Sequence, residues 1–197
     1  MTLPPARSTA RGRARREQLI NVALAAFADE GFRGASLAAI AQEVGISEPG
    51  LLHHFPSKKD LLLGVLEFHE SRGVRRMAEV ARSGGTFADK MLGIARGHEA
   101  DPSFIRLFTV LAAESANSEH PAHDWFVERY RVVRGRFRDD VVREQEEGRM
   151  RADVDPDDVA RLIVAVLDGL ELQFLLEHAD TGISSPLSLV LELLEPG

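Results

Sequence analysis

The stretch Ser36–Phe55, SLAAIAQEVGISEPGLLHHF, predicts two short helices joined by a tight turn. Gly45 can adopt the positive φ that ends the first helix, and Ala41, four residues earlier, shares its face. We expect both small residues to face a closely crossing second helix. Ser47 can cap that second helix, and Pro49 stands at an early position where no backbone donor is lost. The pattern is that of a helix-turn-helix, a candidate reader of a nucleic-acid groove.

The flanking sequence extends the motif in both directions. The apolar residues of the motif form a buried stripe: Ile40, Val44, Ile46, Leu51 and Phe55. A preceding helix is predicted from Ala14 to Glu30, ended by Gly31, because its apolar residues recur at helical spacing. After the motif, Ser57 and Asp60 have the spacing of a capping box and predict the start of a fourth helix at residue 58.

The rest of the chain also predicts helices only. Glycine pairs, Asp-Pro and Ser-Pro steps divide it into further amphipathic segments, and no stretch alternates with period two. The predicted helices are 58–81, 87–99, 102–115, 121–147, 157–177 and 185–194. We therefore expect an all-α chain with a three-helix head and a larger helical body.

Charge divides the chain into the same two parts. The formal net charge is −7, but residues 1–59 hold eight Lys and Arg against five Asp and Glu, whereas the remainder has a formal charge of −10. Because charges are screened over about 8 Å at physiological salt, a basic head on an acidic body can still bind phosphate. We predict a flexible basic arm over residues 1–13, a helix-turn-helix domain over 14–57 and a ligand-binding and dimerisation domain over 58–197.

Composition excludes several functional classes. The chain contains no cysteine, which removes disulfides, thiolate catalysis and cysteine-based zinc sites and favours a cytoplasmic location. Its most apolar stretch, LIVAVLDGLELQFLL, is too short to span a bilayer and contains Asp168 and Glu171, so no membrane partner is expected. No nucleophile elbow, phosphate loop or metal motif is present, and neither an enzyme nor a bound cofactor is expected.

Four elements in order, FADEGF, ASLAAIAQEVGIS, GLLHHF and PSKKDLL, resemble the TetR-type transcriptional regulators. The likeness covers about the first 65 residues. The resemblance implies a homodimer with two DNA-reading heads and a helical body that encloses a small apolar or amphipathic effector. It also implies repression that ends when the effector binds. Two heads on a two-fold axis would read a pseudo-palindromic double-stranded operator.

The resemblance places the DNA contacts on and around the second helix of the motif. His53 can donate to a phosphate or to guanine, whereas Glu48 either accepts from cytosine or only complements the helix dipole. Leu52 stands where many relatives have an aromatic residue, so the base preference of the family does not transfer. Lys58 matches the family position that reaches the DNA backbone. The full set of predicted DNA contacts is Ser36, Ser47, Glu48, Pro49, Gly50, Leu52, His53 and Lys58. The arm arginines either enter an adjacent minor groove or stay disordered.

For the effector, aromatic residues interleaved with polar ones in the body suggest a mostly apolar pocket. Any one of these aromatic residues, at helical spacing, is more often part of the core than of a ligand pocket. The candidates are His98, Phe104, Phe108, Trp125, Arg129, Tyr130 and Gln173. His53 and His54 are neighbours on a helix and point too far apart to chelate one ion, and His120 and His123 have no cysteine or carboxylate set beside them, so no metal is expected.

The last two predicted helices carry apolar stripes that could form a four-helix contact between two subunits. The candidates for the dimer interface are Leu162, Val166, Leu170, Phe174, Leu187, Val190, Leu191 and Leu194. The same stripes could instead face the core of their own subunit.

Two other functions fit the same motifs. One is a DNA-binding architectural protein that tolerates any sequence, which would bind random and operator DNA alike. The other is a helical ligand carrier with a vestigial head, which would bind ligand without retaining DNA.

Overall fold

A computed structural model describes residues 10–177 and 182–196, and these residues form nine helices and no strand. Within them, no helix combines the length and apolar character that crossing a membrane requires. The helices are α1 Ala10–Gly34, α2 Leu37–Val44, α3 Glu48–His54, α4 Lys58–Arg82, α5 Phe87–Ala100, α6 Ser103–Glu114, α7 His123–Glu146, α8 Pro156–Leu176 and α9 Ser184–Glu192. The all-α prediction is confirmed.

The helix bounds agree with the sequence patterns except at the first helix. α1 begins at Ala10, four residues before the predicted start, so residues 10–13 of the predicted arm are helical. Residues 1–9 of that arm, with Arg7, lie outside the described residues. Gly31, with φ 68° and ψ 177°, interrupts the helix at its predicted end, and one further turn continues to Gly34.

The chain divides into two compact units, one ending at Phe68 and the other beginning at His69, within α4. The predicted domain boundary, between residues 57 and 58, falls at the first residue of the same helix. In the first unit, α1 packs on α2 and α2 on α3. Its core includes Leu19, Ile20, Phe27, Ile40, Leu51, Phe55 and Leu61.

Local capping fixes the helix-turn-helix. The Oγ atoms of Ser36 and Ser47 accept from the backbone N–H groups of Ala39 and Gly50, at 3.4 and 3.2 Å. Gly45 ends α2 with φ 74°, and its N–H and that of the next residue bond the last turn. The expectation that Gly45 allows a close helix crossing is wrong, because a Cβ built there would meet nothing within 4 Å. The residue is required for its positive φ.

The second unit is a helical body in which α7 packs on α8 and α5 on α9. Its apolar core draws on α5, α7, α8 and α9, including Met91, Phe137 and Ile163. Glu99 of α5 caps the start of α9: its Oε1 accepts from the N–H of Ile183 at 2.6 Å and from the N–H of Ser184 at 2.7 Å. This carboxylate therefore fixes the start of the last helix to the body.

The body also buries most of the residues predicted for the subunit interface. Four of these residues are in its core: Phe174, Leu187, Leu191 and Leu194. Three more are half-buried against it: Val166, Leu170 and Val190. Only Leu162 is exposed, at 48%. The burial of the seven others agrees with the alternative interpretation, in which the stripes face the core of their own subunit, where α9 packs mainly on α5.

Candidate nucleic-acid interface and ligand cavity

Helix α3 presents a polar face to solvent. Glu48, Pro49 and His53 are exposed, as is the capping Ser47, whereas Leu51 is fully buried. Gly50 and Leu52 are half-exposed. The inward turn of Leu51 and Phe55 confirms the predicted helical face, and the four exposed residues all belong to the predicted DNA-contact set. Whether they contact bases stays a prediction.

A shallow groove of about 460 Å³ runs beside this face within the first unit. Arg11 and Arg15 from the start of α1 line it together with His53 and His54 of α3. Arg15 Nη1 donates to the carbonyl of Val44 at 2.7 Å and so bonds the C-terminal end of α2. The groove is therefore basic, and one of its arginines also holds the motif in place.

His54 and Arg16 belong to the packing of the head. Burial, followed by the nearby charges of His53 and Arg15, lowers the pKa of His54 below its ordinary value. The guanidinium of Arg16 lies 4.6 Å from the centre of the Phe55 ring. His54 is thus held neutral at physiological pH, and His53 is the histidine of α3 that is exposed.

Lys58, at the first position of α4, is half-buried. Its Nζ donates to the carbonyl of Arg33 at 3.1 Å and lies 5.1 Å from the centre of the Phe32 ring. Lys59, by contrast, is exposed. The ammonium of Lys58 therefore has a defined position at the junction of α1 and α4, whereas Lys59 is a surface lysine.

The second unit encloses a cavity of about 150 Å³ walled by α4, α5, α6, α7 and α8. Four of the predicted effector residues line it: His98, Phe104, Phe108 and Arg129. Trp125 and Tyr130 are half-buried outside the lining, and Gln173 lies on an exposed face of α8. The prediction that these three residues line the pocket is wrong for this cavity, because helical spacing did not determine which face of each helix turns inward.

Three polar pairs cross the walls of the cavity. Arg129 Nε donates to Glu70 Oε2 at 2.8 Å, and its guanidinium lies 4.3 Å from the centre of the Phe108 ring. Tyr130 donates its hydroxyl to Asp168 Oδ2 at 2.8 Å. His98 Nδ1 lies 2.7 Å from Glu171 Oε1 and donates to it when the carboxyl is ionised.

Burial shifts the pKa values of two groups in this wall. Desolvation raises the pKa of Asp168 above its ordinary value, although the hydrogen bond from Tyr130 opposes the shift. Burial, together with the charge of Asp168, also raises the pKa of Tyr130, which therefore stays a neutral donor at physiological pH. The wall offers hydrogen-bonding groups in a partly dehydrated setting, where electrostatic interactions are stronger than in water.

Asp168 and Glu171 line the cavity but were not among the residues predicted for it. They are three residues apart on one face of α8, inside the most apolar segment of the chain. Two acids at that spacing within an apolar helix could have indicated a polar site, because a carboxylate on a buried face needs a polar partner. Arg72, Arg76 and Asp101 were also missed; they come from segments whose sequence resembles an ordinary charged surface.

An exposed apolar surface lies on α8 and α9. Leu172 and Leu176 are exposed at 44% and 69%, and Leu189 and Leu193 at 59% and 67%. Each pair has the four-residue spacing that places both side chains on one side of a helix. These residues were not in the predicted interface, although they occupy the helices that were predicted to form it.

His120 and His123 have structural partners. His120 Nδ1 lies 2.8 Å from Ser115 Oγ, and His123 Nδ1 lies 2.8 Å from the carbonyl of the same serine. Both rings therefore bond the end of α6 and the turn that follows it.

Comparison with known proteins gives the family. The model of bacterial regulatory proteins of the tetR family matches residues 19–65, and that of the C-terminal domain of BetI-type transcriptional repressors matches residues 92–195. The HTH-type transcriptional repressor Rv1474c of Mycobacterium tuberculosis is 31% identical over 92% of this chain and 91% of its own length.

Two ligand-bound structures share the fold. FadR of Bacillus subtilis, solved with stearoyl-CoA, superimposes with a TM-score of 0.78 at 17% identity, over 92% of this chain and 98% of its own. A regulator of Saccharomonospora viridis, solved with choline, gives 0.75 at 21% identity, over 91% and 94%. The family models and the Mycobacterium relative together show similarity to TetR-type regulators along both units. The chain belongs to the TetR family and is a DNA-binding transcriptional regulator.

Proposed function

We propose that this regulator is a cytoplasmic homodimeric repressor that leaves its operator when a small ligand enters the cavity of the second unit. The proposal is supported chiefly by the observation that one helix, α4, contributes residues both to the predicted DNA interface and to the cavity. It begins with the predicted phosphate anchor Lys58, and its later residues, including Glu70 and Arg76, line the cavity. A ligand that changes the position of this one helix would act on both functions.

On the DNA side, α3 supplies the reading face. His53 is the leading base or phosphate contact, because it is exposed and lines the basic groove. Glu48 and Leu52 set the base preference, while the start of α2 at Ser36 and the start of α4 at Lys58 anchor the phosphates. The remaining contacts are Ser47, Pro49 and Gly50.

The dimer forms through the exposed surface of α8 and α9. Leu172, Leu176, Leu189 and Leu193 each expose more than two-fifths of their surface in the isolated subunit. A two-fold axis through this surface would pair it with its copy, and one recognition helix reads too few base edges to discriminate alone.

Release requires only a modest free-energy difference. A ligand that binds one arrangement of the helices a hundredfold better than the other supplies about 2.7 kcal/mol, which is within the usual range for coupled sites. The ligands of the two solved relatives are an acyl-CoA and choline, so the fold itself does not restrict the chemistry of the ligand.

Sequence-specific DNA binding is tested by selecting binding sites from random duplexes with the purified protein and footprinting the selected duplexes. We expect two inverted half-sites with centres about 34 to 36 Å apart. Affinity for the selected site should exceed that for scrambled DNA at matched salt by about 10³-fold or more. Equal affinity for both would support the architectural alternative, and no retention of DNA would support the ligand carrier.

A further inference from the structure

The α8 wall of the cavity holds two carboxylates whose hydrogen-bonding capacity is only partly used. Glu171 exposes 5% of its surface; His98 bonds its Oε1, and among the described residues no donor bonds its Oε2. Asp168 uses Oδ2 for Tyr130, and its Oδ1 likewise has no donor within residues 10–177 and 182–196. Both side chains line the cavity.

Among the described residues, no arginine of the cavity forms an ion pair with either carboxylate. Arg129 is bonded to Glu70, and Arg72 acts on Asp101 and His69. Arg76 lies against Gly97 of α5, where the absence of a side chain makes room for its guanidinium. Glu171 is therefore paired with His98 alone among the described residues, and Asp168 has the Tyr130 hydroxyl and the nearby charge of Arg129. A ligand that fills the cavity displaces water from these carboxylates, and a carboxylate that loses water without gaining a partner is costly, so this wall favours a ligand that brings donors and positive charge.

The other residues that line the cavity limit the polarity and the size of the rest of the ligand. Ile94, Val133, Val164 and Leu167 are apolar, and the rings of Phe104 and Phe108 lie 5.9 Å apart beside them. A volume of about 150 Å³ suits a body near the size of one aromatic ring, since a cavity of that size takes up benzene.

We propose that the cavity binds a protonated primary or secondary amine with a compact apolar body, whose N–H groups donate to Asp168 Oδ1 and Glu171 Oε2. The ammonium completes the partners of both carboxylates, and the apolar body fills the space between α5, α6 and α7. An anionic ligand would place its charge against two acids, and a purely apolar one would leave both oxygens without donors. The inference rests on the proposed function, because it names the class of ligand for that cavity.

The test is a set of three probes of similar shape, measured by isothermal titration near neutral pH. 2-Phenylethylamine carries the ammonium, propylbenzene replaces it by a methyl group, and 3-phenylpropionate replaces it by a carboxylate. We expect 2-phenylethylamine to bind at least tenfold tighter than either of the others. Equal or tighter binding of propylbenzene or 3-phenylpropionate, or no binding of the amine, would overturn the inference.

Two isosteric variants locate the binding. Asp168→Asn and Glu171→Gln keep the acceptors for Tyr130 and His98 but remove the charge, and each should weaken the amine about tenfold, as expected for losing a bond to a charged group. Propylbenzene should bind all variants alike. Asp158→Asn makes the same charge change at an exposed position of α8 and should leave the amine unaffected. If either cavity variant fails to fold, the three probes on the natural chain still decide.

Binding of the selected operator is measured in parallel on every variant. A protein that binds operator normally but prefers the anion or the hydrocarbon contradicts this inference alone. A protein that binds the amine but discriminates no DNA sequence contradicts the proposed function and leaves the ligand class standing.

Discussion

At the scale of single residues, Lys58 has two partners in the folded head and a third, proposed one on DNA. Its Nζ bonds the carbonyl of Arg33 and lies over Phe32, so its ammonium is held at the start of α4. A fixed cation at a helix N-terminus is a favourable phosphate site, because the N–H groups of the first turn add to the attraction.

Lys58→Ala should weaken binding to every DNA sequence and flatten the salt dependence by about 1 in the slope of log K against log salt per lost contact. Fluorescence anisotropy at several salt concentrations measures both, with the exposed Lys59→Ala as the matched control. Unchanged affinity with an intact thermal transition would remove Lys58 from the interface.

Glu99 gives a second residue-scale prediction, on stability and pH. Burial by itself would raise the pKa of Glu99, but hydrogen bonds from Ser184 and Ile183 outweigh it, and the pKa lies below the ordinary 4.5. Its stabilising effect is therefore present above about pH 4.5 and is lost as the pH falls through the lower folded pKa.

Glu99→Gln should cost about 1 kcal/mol at pH 7, because bonds to a charged acceptor become bonds to an amide. Urea unfolding at pH 7 and near pH 3 measures the difference, which should shrink at the lower pH. Glu146→Gln, at an exposed position of α7, is the control. A difference that stays constant with pH would mean that the charge of Glu99 does not stabilise the start of α9.

The sequence predicted the exposed face of α3 better than it predicted the residues that line the cavity. Exposed positions of α3 follow from the position of the motif, since Leu51 and Phe55 had to be buried. The cavity wall did not follow in the same way. Gln173 and Asp168 lie on the same helix, and only the packing of α8 determined that the acid faces the cavity and the amide faces solvent.

At the scale of elements, the helices were predictable because Gly, Pro and Ser mark nearly every boundary. Gly31, Gly84 and Gly148 take the positive φ that a break requires, and Pro156 opens α8. The pairing of the elements was less predictable. The apolar stripes of α8 and α9 indicated a partner, but periodicity does not distinguish the core of the same subunit from a second subunit.

Gly45→Ala should destabilise the turn between α2 and α3 by about 1 kcal/mol, because alanine at φ 74° is strained although space is available. Hydrogen exchange of the α2 amides measures the effect as a loss of protection. Gly135→Ala in α7, where a Cβ also meets nothing within 4 Å and φ is not positive, is the control and should stabilise its own helix. Unchanged exchange in α2 would mean that the turn does not depend on glycine.

At the scale of the whole molecule, the exposed leucines of α8 and α9 predict the assembly. Leu189→Glu combined with Leu193→Glu should convert the dimer to monomers and weaken operator binding, since charged side chains would be buried against each other. Sedimentation velocity measures the mass. Val127→Glu, at a position of α7 that is 56% exposed, tests whether any added charge has the same effect. A double variant that stays dimeric would place the interface elsewhere.

In the proposed mechanism, filling the cavity of the second unit lowers the affinity of the first unit for DNA. Because the chain has no cysteine, Ile94→Cys creates a unique thiol in the cavity lining. Benzyl methanethiosulfonate then adds an aromatic ring there by a disulfide that dithiothreitol removes, and Val127→Cys receives the same group on the surface. The decisive measurement is the operator dissociation constant before modification, after it and after reduction. We expect a rise of at least tenfold that reduction reverses, for the cavity cysteine only. An unchanged dissociation constant in fully modified protein would contradict it.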